Sequence, residues 1–344
     1  MDKRIRNALT TILLAGLLAA SPAAYATNVF VFSGLDELIE WLEAENWWGE
    51  VHRGDQLEVP HAIVTGINPR WREAAQALPV PEKKEIFYRL MLPLIVHANS
   101  MVLERRERLL QAQATLARQE RISDAEMNRI REGAVLLRVM KEDEAAGLTA
   151  DSSELPAIID ELLYKVDIIP AGLALGQAAY ESGYGTSRFA VEGNALFGQW
   201  TYGGKGLVPE QQRKNLGDHR IAAFDWPFDS VRGYFINLMS HPAYEDFRKL
   251  RAKLRGDGKP LTSLVLADGL IRYSERGQEY VDTLKGIIRV NKLDVADDAV
   301  FKEEPVRFLV GATDKEAATA LRSEIEELRA SGEVDKIIAR MRLE

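Results

Sequence analysis

Leu35, Leu38, Ile39 and Leu42 recur at i, i+3, i+4 and i+7, a spacing that lines one face of a helix with apolar side chains. A short amphipathic helix is predicted there. Trp47 to Arg70 is rich in Gly, Pro and His and reads as irregular. Beyond Pro81, a residue suited to a first helical turn, Ile86, Phe87, Leu90, Met91 and Leu94 restore the helical period, and Pro93 inside it predicts a kink. From Glu104 to Glu144 the pattern dilutes into Glu, Arg, Gln, Leu and Ala, the mark of exposed helices, with Ser123 and Glu126 spaced as a capping box.

Pro170 opens a further helix. Its Leu173, Gln177 and Glu181 share a face, and Gly183 and Gly185 end it. Thr201 to Gly217 reads as a loop or short hairpin and His219 to Phe224 as a brief strand, after which helical patterns resume from Phe228 and from Leu261 to Val290. Gly256 to Lys259 reads as a turn between helices. An amphipathic helix pair interrupted at Gly332 closes the chain, from Thr313 to Met341. The expected class is therefore mainly α.

At the N-terminus Lys3, Arg4 and Arg6 precede an uncharged run from Ala8 to Ala20 that closes on Ala24-Tyr25-Ala26. Basic residues, a short apolar stretch and small residues at the cleavage positions predict a secretory signal over residues 1–26, and a run of this length falls short of the roughly 20 residues a spanning helix needs. No other stretch reads as long and apolar enough to span, so the mature protein is expected in the periplasm or outside the cell, without stable membrane insertion. Composition divides the remainder into a helical extension at 27–150, a functional domain at 151–293, where Gly and aromatic residues concentrate, and a helical tail at 294–344.

Charge and cysteine content narrow the chemistry. The chain has 44 basic and 52 acidic residues, a net charge of −8, and no cysteine. Disulfide scaffolds, thiolate metal sites, iron–sulfur clusters and Cys nucleophiles are excluded, and the acidic balance argues against nucleic acid as a partner. The five histidines are scattered without ligand spacing, so no metal or cofactor is expected. Ser182 lacks the Gly-x-Ser-x-Gly context of a hydrolase elbow.

Glu181 is the candidate that fits a reaction. A carboxylate at a helix C-terminus faces the negative end of the macrodipole, and Tyr184, Phe197 and Trp200 are near enough in sequence to desolvate it; both effects favour the protonated acid that a glycosidase uses on a leaving oxygen. Aromatic side chains crowd the same region, and Trp200 and Tyr202, flanked by Gly198, Gly203 and Gly204, are the best candidates for an exposed surface on which sugars stack.

The run Ala174 to Gly185 and the following Gly193-Asn194-Ala195-Leu196-Phe197-Gly198 resemble the signature of the glycoside hydrolase family 73 glucosaminidases, which include the hydrolase domain of the flagellar rod-cap protein. Phe224 to Tyr234 is similar to that family's aromatic, Asp/Glu-Ser, Tyr segment, and Tyr273 to Tyr280 to its closing two-tyrosine motif. The last motif, with Gly206 to Pro209 and the upstream Glu82-Lys83-Lys84, most resembles the Bax-type envelope subgroup. The resemblance runs from about Pro79 to Leu293.

It implies a lysozyme-like α+β catalytic domain that cleaves the β-1,4 bond between N-acetylglucosamine and N-acetylmuramic acid in peptidoglycan glycan strands. Glu181 matches the catalytic acid, and Tyr273 a tyrosine that positions water or the N-acetyl group. Asn194, Phe197 and Gly198 match the glycan-side loop, and Trp200, Tyr202, Tyr234 and Tyr280 complete the expected binding set. Glycosidases ordinarily need two carboxylates, and Glu210 is the nearest candidate for the second, though imperfectly aligned; attack by the substrate's own N-acetyl oxygen dispenses with it. Two rivals remain open: a lytic transglycosylase that also relies on one Glu, and a non-catalytic wall-binding protein.

Overall fold

The computed structural model describes residues 28–49, 56–201, 206–208 and 220–330. The expected leader, Tyr202, Glu210, His219 and the second half of the closing helix pair lie outside the described residues. The class is mainly α. Thirteen α-helices are described: α1 (Leu35–Ala44), α2 (Trp71–Ala77), α3 (Val80–Ala117), α4 (Asp124–Leu136), α5 (Glu142–Gly147), α6 (Leu155–Lys165), α7 (Ala171–Ser182), α8 (Arg188–Gly193), α9 (Pro227–Ser240), α10 (Glu245–Gly256), α11 (Ser263–Leu266), α12 (Gln278–Val290) and α13 (Lys315–Ala330). The predicted stripe of α1 is buried through Leu38 and Leu42, and the Ser123 side chain caps α4 by accepting from Glu126 N.

Eight short strands join them. The strand β1 (Asn28–Phe32) and β3 (Ala62–Val64) both pair in parallel with β8 (Arg307–Gly311), which lies between them, and β2 (Glu58–Val59) pairs in parallel with β7 (Val300–Phe301). Such strands escape a pattern reading, because parallel strands buried on both faces appear as short apolar runs without alternation. A third, antiparallel sheet has the order β4 (Trp200–Thr201), β6 (Arg220–Ala222), β5 (Gly206–Leu207). The brief strand expected after His219 is β6.

Among the described residues, contacts divide the chain into two units that interleave along it: those up to 95, within 177–231 and from 299 to 330 form one, and 96–176 with 232–298 the other. All three sheets belong to the first unit. Its core includes Leu42, Val59, Leu94 and Phe308, and the Trp226 ring meets Phe308 of β8 edge to face at 6.1 Å. Pro93 does not end α3. Its missing N–H leaves the Arg89 carbonyl without its helical donor, and the buried Trp47 supplies one from Nε1 at 2.8 Å. Contrary to the sequence expectation, α3 also contains an 18-residue window of mean hydropathy 1.4, long enough to span a membrane; most of that window is buried in the protein.

The second unit is helical, and its polar core explains one of its main joints. Arg251 on α10 is buried and donates to the carbonyls of Lys165 at 2.6 Å and Asp167 at 2.7 Å, just where α6 runs out of intrahelical donors. Arg106 reaches the Leu163 and Val166 carbonyls, and Arg255 forks onto Asp167 at 2.8 and 2.9 Å. Burial pushes the Arg251 guanidinium down to about 10, so it stays charged at neutral pH and complements the negative end of α6.

Candidate active site

Glu181 occupies the last turn of α7, as the Pro170 and glycine signals predicted. Leu173 and Gln177, on the same face, are wholly buried, whereas Glu181 is half-buried. The helix ends because three successive residues, Gly183, Tyr184 and Gly185, take left-handed φ of 58°, 58° and 75°. For Tyr184 this conformation is costly and must be held from outside. Trp71 Nε1 donates to its carbonyl at 2.9 Å, and its ring meets Phe87 and Tyr88 edge to face at 5.7 and 5.9 Å. Ser182, fully buried, donates to Ala178 O and accepts from Gly185 N at 2.8 Å. That serine is a brace for the turn rather than a nucleophile.

The chain then returns past the carboxylate. Ser187 caps α8, and Asn194 follows it in the left-handed region, its Oδ1 accepting from Ile67 N and its Nδ2 donating to the carbonyls of Phe224 and Asp225. Leu196 N donates to Ser230 Oγ at 3.1 Å, and Gln199 exchanges hydrogen bonds with the same serine. These bonds fix the loop at Gly198, where φ is +61° and a Cβ would lie 3.5 Å from Glu181 Oε2. Trp200 follows on edge strand β4 with 49% of its surface exposed. Glu181, the Gly198 turn and an exposed indole thus belong to one unit, in a setting suited to protonating a group on a flat apolar ligand.

Other predicted residues fall elsewhere. Phe197 is 2% exposed, Tyr234 0% and Tyr280 1%, so their rings are unavailable for stacking on a sugar; large rings gain more from the core, and residue type alone does not tell core from groove. Asn194 directs its amide at backbone groups of the protein. In the second unit Tyr273 is half-buried, stacks on Tyr280 at 5.6 Å and neighbours Tyr234 and Tyr244, forming a tyrosine cluster.

Residues 157–293 match the Glucosaminidase family model, described as mannosyl-glycoprotein endo-beta-N-acetylglucosaminidase. The Escherichia coli (strain K12) protein named "Protein bax" is 31% identical over 214 residues, covering 62% of this chain and 72% of that protein. The chain belongs to the Bax-type glucosaminidase family. No solved structure matches it. Family membership supports a peptidoglycan-related glycosidase activity in general terms.

The glucosaminidase match contains Glu181, Asn194, Gly198, Trp200 and Tyr273. Upstream of it lies much of a feature that the sequence reading missed, an apolar cavity of about 440 Å³ in the first unit, lined by Phe32, Leu38, Trp71, Phe87 and, from within the matched segment, Gly185 and Pro227. Its walls come from segments far apart in sequence, so no local pattern signals it. Ser182 and Ser230 were also missed as braces; their positions inside the two glucosaminidase motifs were the available clue. Among the described residues no group of His, Asp or Glu is clustered to hold a metal ion.

Proposed function

We propose that this protein is a peptidoglycan hydrolase that cleaves the β-1,4 bond between N-acetylglucosamine and N-acetylmuramic acid, with Glu181 as general acid. The observation that carries the reading is the half-buried Glu181 carboxylate beside the Gly198 turn, two residues before the exposed Trp200. Trp200 offers a face for a pyranose ring, and Gly198 lets the glycan approach the carboxyl without a side chain between them.

In the proposed reaction Glu181 gives its proton to the glycosidic oxygen as the bond to the anomeric carbon breaks. The substrate's N-acetyl oxygen takes the vacated position, and water then opens that intermediate while the Glu181 carboxylate accepts the water's proton. Tyr273 is assigned the task of steadying the N-acetyl group or the water, for which Tyr273→Phe is the direct probe. Glu210 remains the candidate second carboxylate if the enzyme uses one. Action in the periplasm or outside the cell, after removal of residues 1–26, is part of the same proposal.

The test is mass spectrometry of the products formed from purified peptidoglycan by the mature protein and by Glu181→Gln of verified fold. Glu181-dependent fragments with new reducing N-acetylglucosamine ends are expected. Anhydro-muramic ends would instead identify a lytic transglycosylase, and sedimentation with sacculi without any Glu181-dependent product would leave a wall-binding protein.

A further inference from the structure

The proposed reaction makes no use of the cavity of about 440 Å³ in the first unit. Its walls come from β1, β3, α1, α2 and α3 and are aliphatic and aromatic, among them Phe32, Leu38, Val64, Ile86, Phe87 and Met91. Protein interiors hold few voids larger than a water molecule, and an apolar space of this size lies within the range of small-molecule pockets. The polar side chains around it narrow what it can hold. Trp71 turns its indole N–H to the Tyr184 carbonyl at 2.9 Å, and the Asn68 amide accepts from Arg70 N at 2.9 Å and donates to Ala312 O at 3.1 Å. Arg70, which also donates to Ser33 O, and Glu73 are exposed, so the cavity reaches the surface with one cation and one anion at its rim. A sugar inside would give up hydrogen bonds to water for walls that do not replace them, whereas a hydrocarbon gives up nothing.

We propose that this cavity takes the hydrocarbon chain of a single-chain amphiphile and leaves the polar head at the rim, beside Arg70 and Glu73. A free fatty acid and a phospholipid with one acyl chain share the needed chemistry. Because the rim carries both signs of charge, the chain rather than the head supplies most of the affinity. The site lies beyond the glycosidase reading but shares a wall with its candidate acid. Trp71 and Phe87, which line the cavity, hold the left-handed Tyr184, and Gly185, which also lines it, donates from N to Ser182 Oγ at 2.8 Å. A chain packed against these residues slows opening of the turn that follows Glu181.

Calorimetry on the mature protein tests the site with alkylphosphocholines of increasing chain length, octyl to dodecyl, and with laurate, each below its micelle concentration. Each added methylene is expected to tighten binding about fourfold. The tighter of laurate and dodecylphosphocholine identifies a fatty acid or a phospholipid chain as the source. Two variants fill the cavity from different walls: Gly66→Leu, where φ is not left-handed and a Cβ would meet no neighbouring atom within 4 Å, and Ala74→Leu on α2. Either, with a thermal melt no lower than the parent's, is expected to weaken binding of the dodecyl chain by about tenfold or more. No saturable binding, affinity independent of chain length, or binding undiminished in a folded filled variant would overturn the site. Hydrogen exchange at the Tyr184 and Gly185 amides is expected to slow when the chain binds, and unchanged exchange would overturn the link to the turn. None of these readings depends on turnover, so they stand or fall apart from the glycosidase.

Discussion

Asn194 accepts one backbone hydrogen bond and donates two, from a left-handed conformation that Asn tolerates better than most residues. Replacing it by alanine removes all three bonds and adds backbone strain, a cost of about 2–4 kcal/mol. Asn194→Gly relieves the strain but not the lost bonds, so it is expected to recover about 1 kcal/mol of that loss. Urea denaturation of both variants checks this; a side chain needed only for glycan would leave both as stable as the parent. The motif around Asn194 was visible in the sequence, but its task was not, because a polar residue in a loop reads alike whether it faces a ligand or a neighbouring backbone. Phe197 and Tyr280 teach the same lesson for rings. Glu181 was legible because Pro170 and the glycines after it define where the helix starts and stops.

The helix α3 passes through Pro93 on the strength of one indole. Trp47→Phe keeps most of the apolar contact but leaves the Arg89 carbonyl without a donor, and it also disturbs the Arg89 guanidinium, which lies 4.7 Å over the Trp47 ring. A destabilisation of about 1–3 kcal/mol is expected, read from denaturation midpoints, and Pro93→Ala in the Trp47→Phe background is expected to restore part of it by returning the helical N–H. Sequence periodicity gave the helix and its proline but not the remedy, which comes from a residue far upstream in a stretch that read as irregular. At the joint between α6 and α10, likewise, the helical pattern resuming from Phe228 was readable, whereas α6 was not singled out and Arg251, buried at its end, reads in sequence like any arginine on a charged helix face.

For the protein as a whole, two buried groups of the second unit make opposing contributions to pH dependence. Burial pushes His97 down to about 4, and its contribution to stability is present above its unfolded value near 6.5 and lost as pH falls through 4. Asp297 is pushed up to about 6, chiefly by burial and despite hydrogen bonds from Ser263 and Gly172. Its contribution is present below an unfolded value near 3.9 and lost as pH rises through 6. Between about pH 4 and 6 the two slopes oppose each other. Thermal melts across this window are expected to steepen on acidification in Asp297→Asn, and in His97→Gln to show stability falling as pH rises.

The pairing of β1 and β3 with β8 has its own consequence in time. The strand that completes this sheet is made long after the two it joins, so a growing chain carries residues 28–32 and 62–64 without their partner until residue 311 has been synthesised. Closing so long a loop is slow compared with forming local helices. The nascent first unit is therefore held short of its finished state until β8 arrives, a delay that suits a polypeptide proposed to be exported before it meets its substrate.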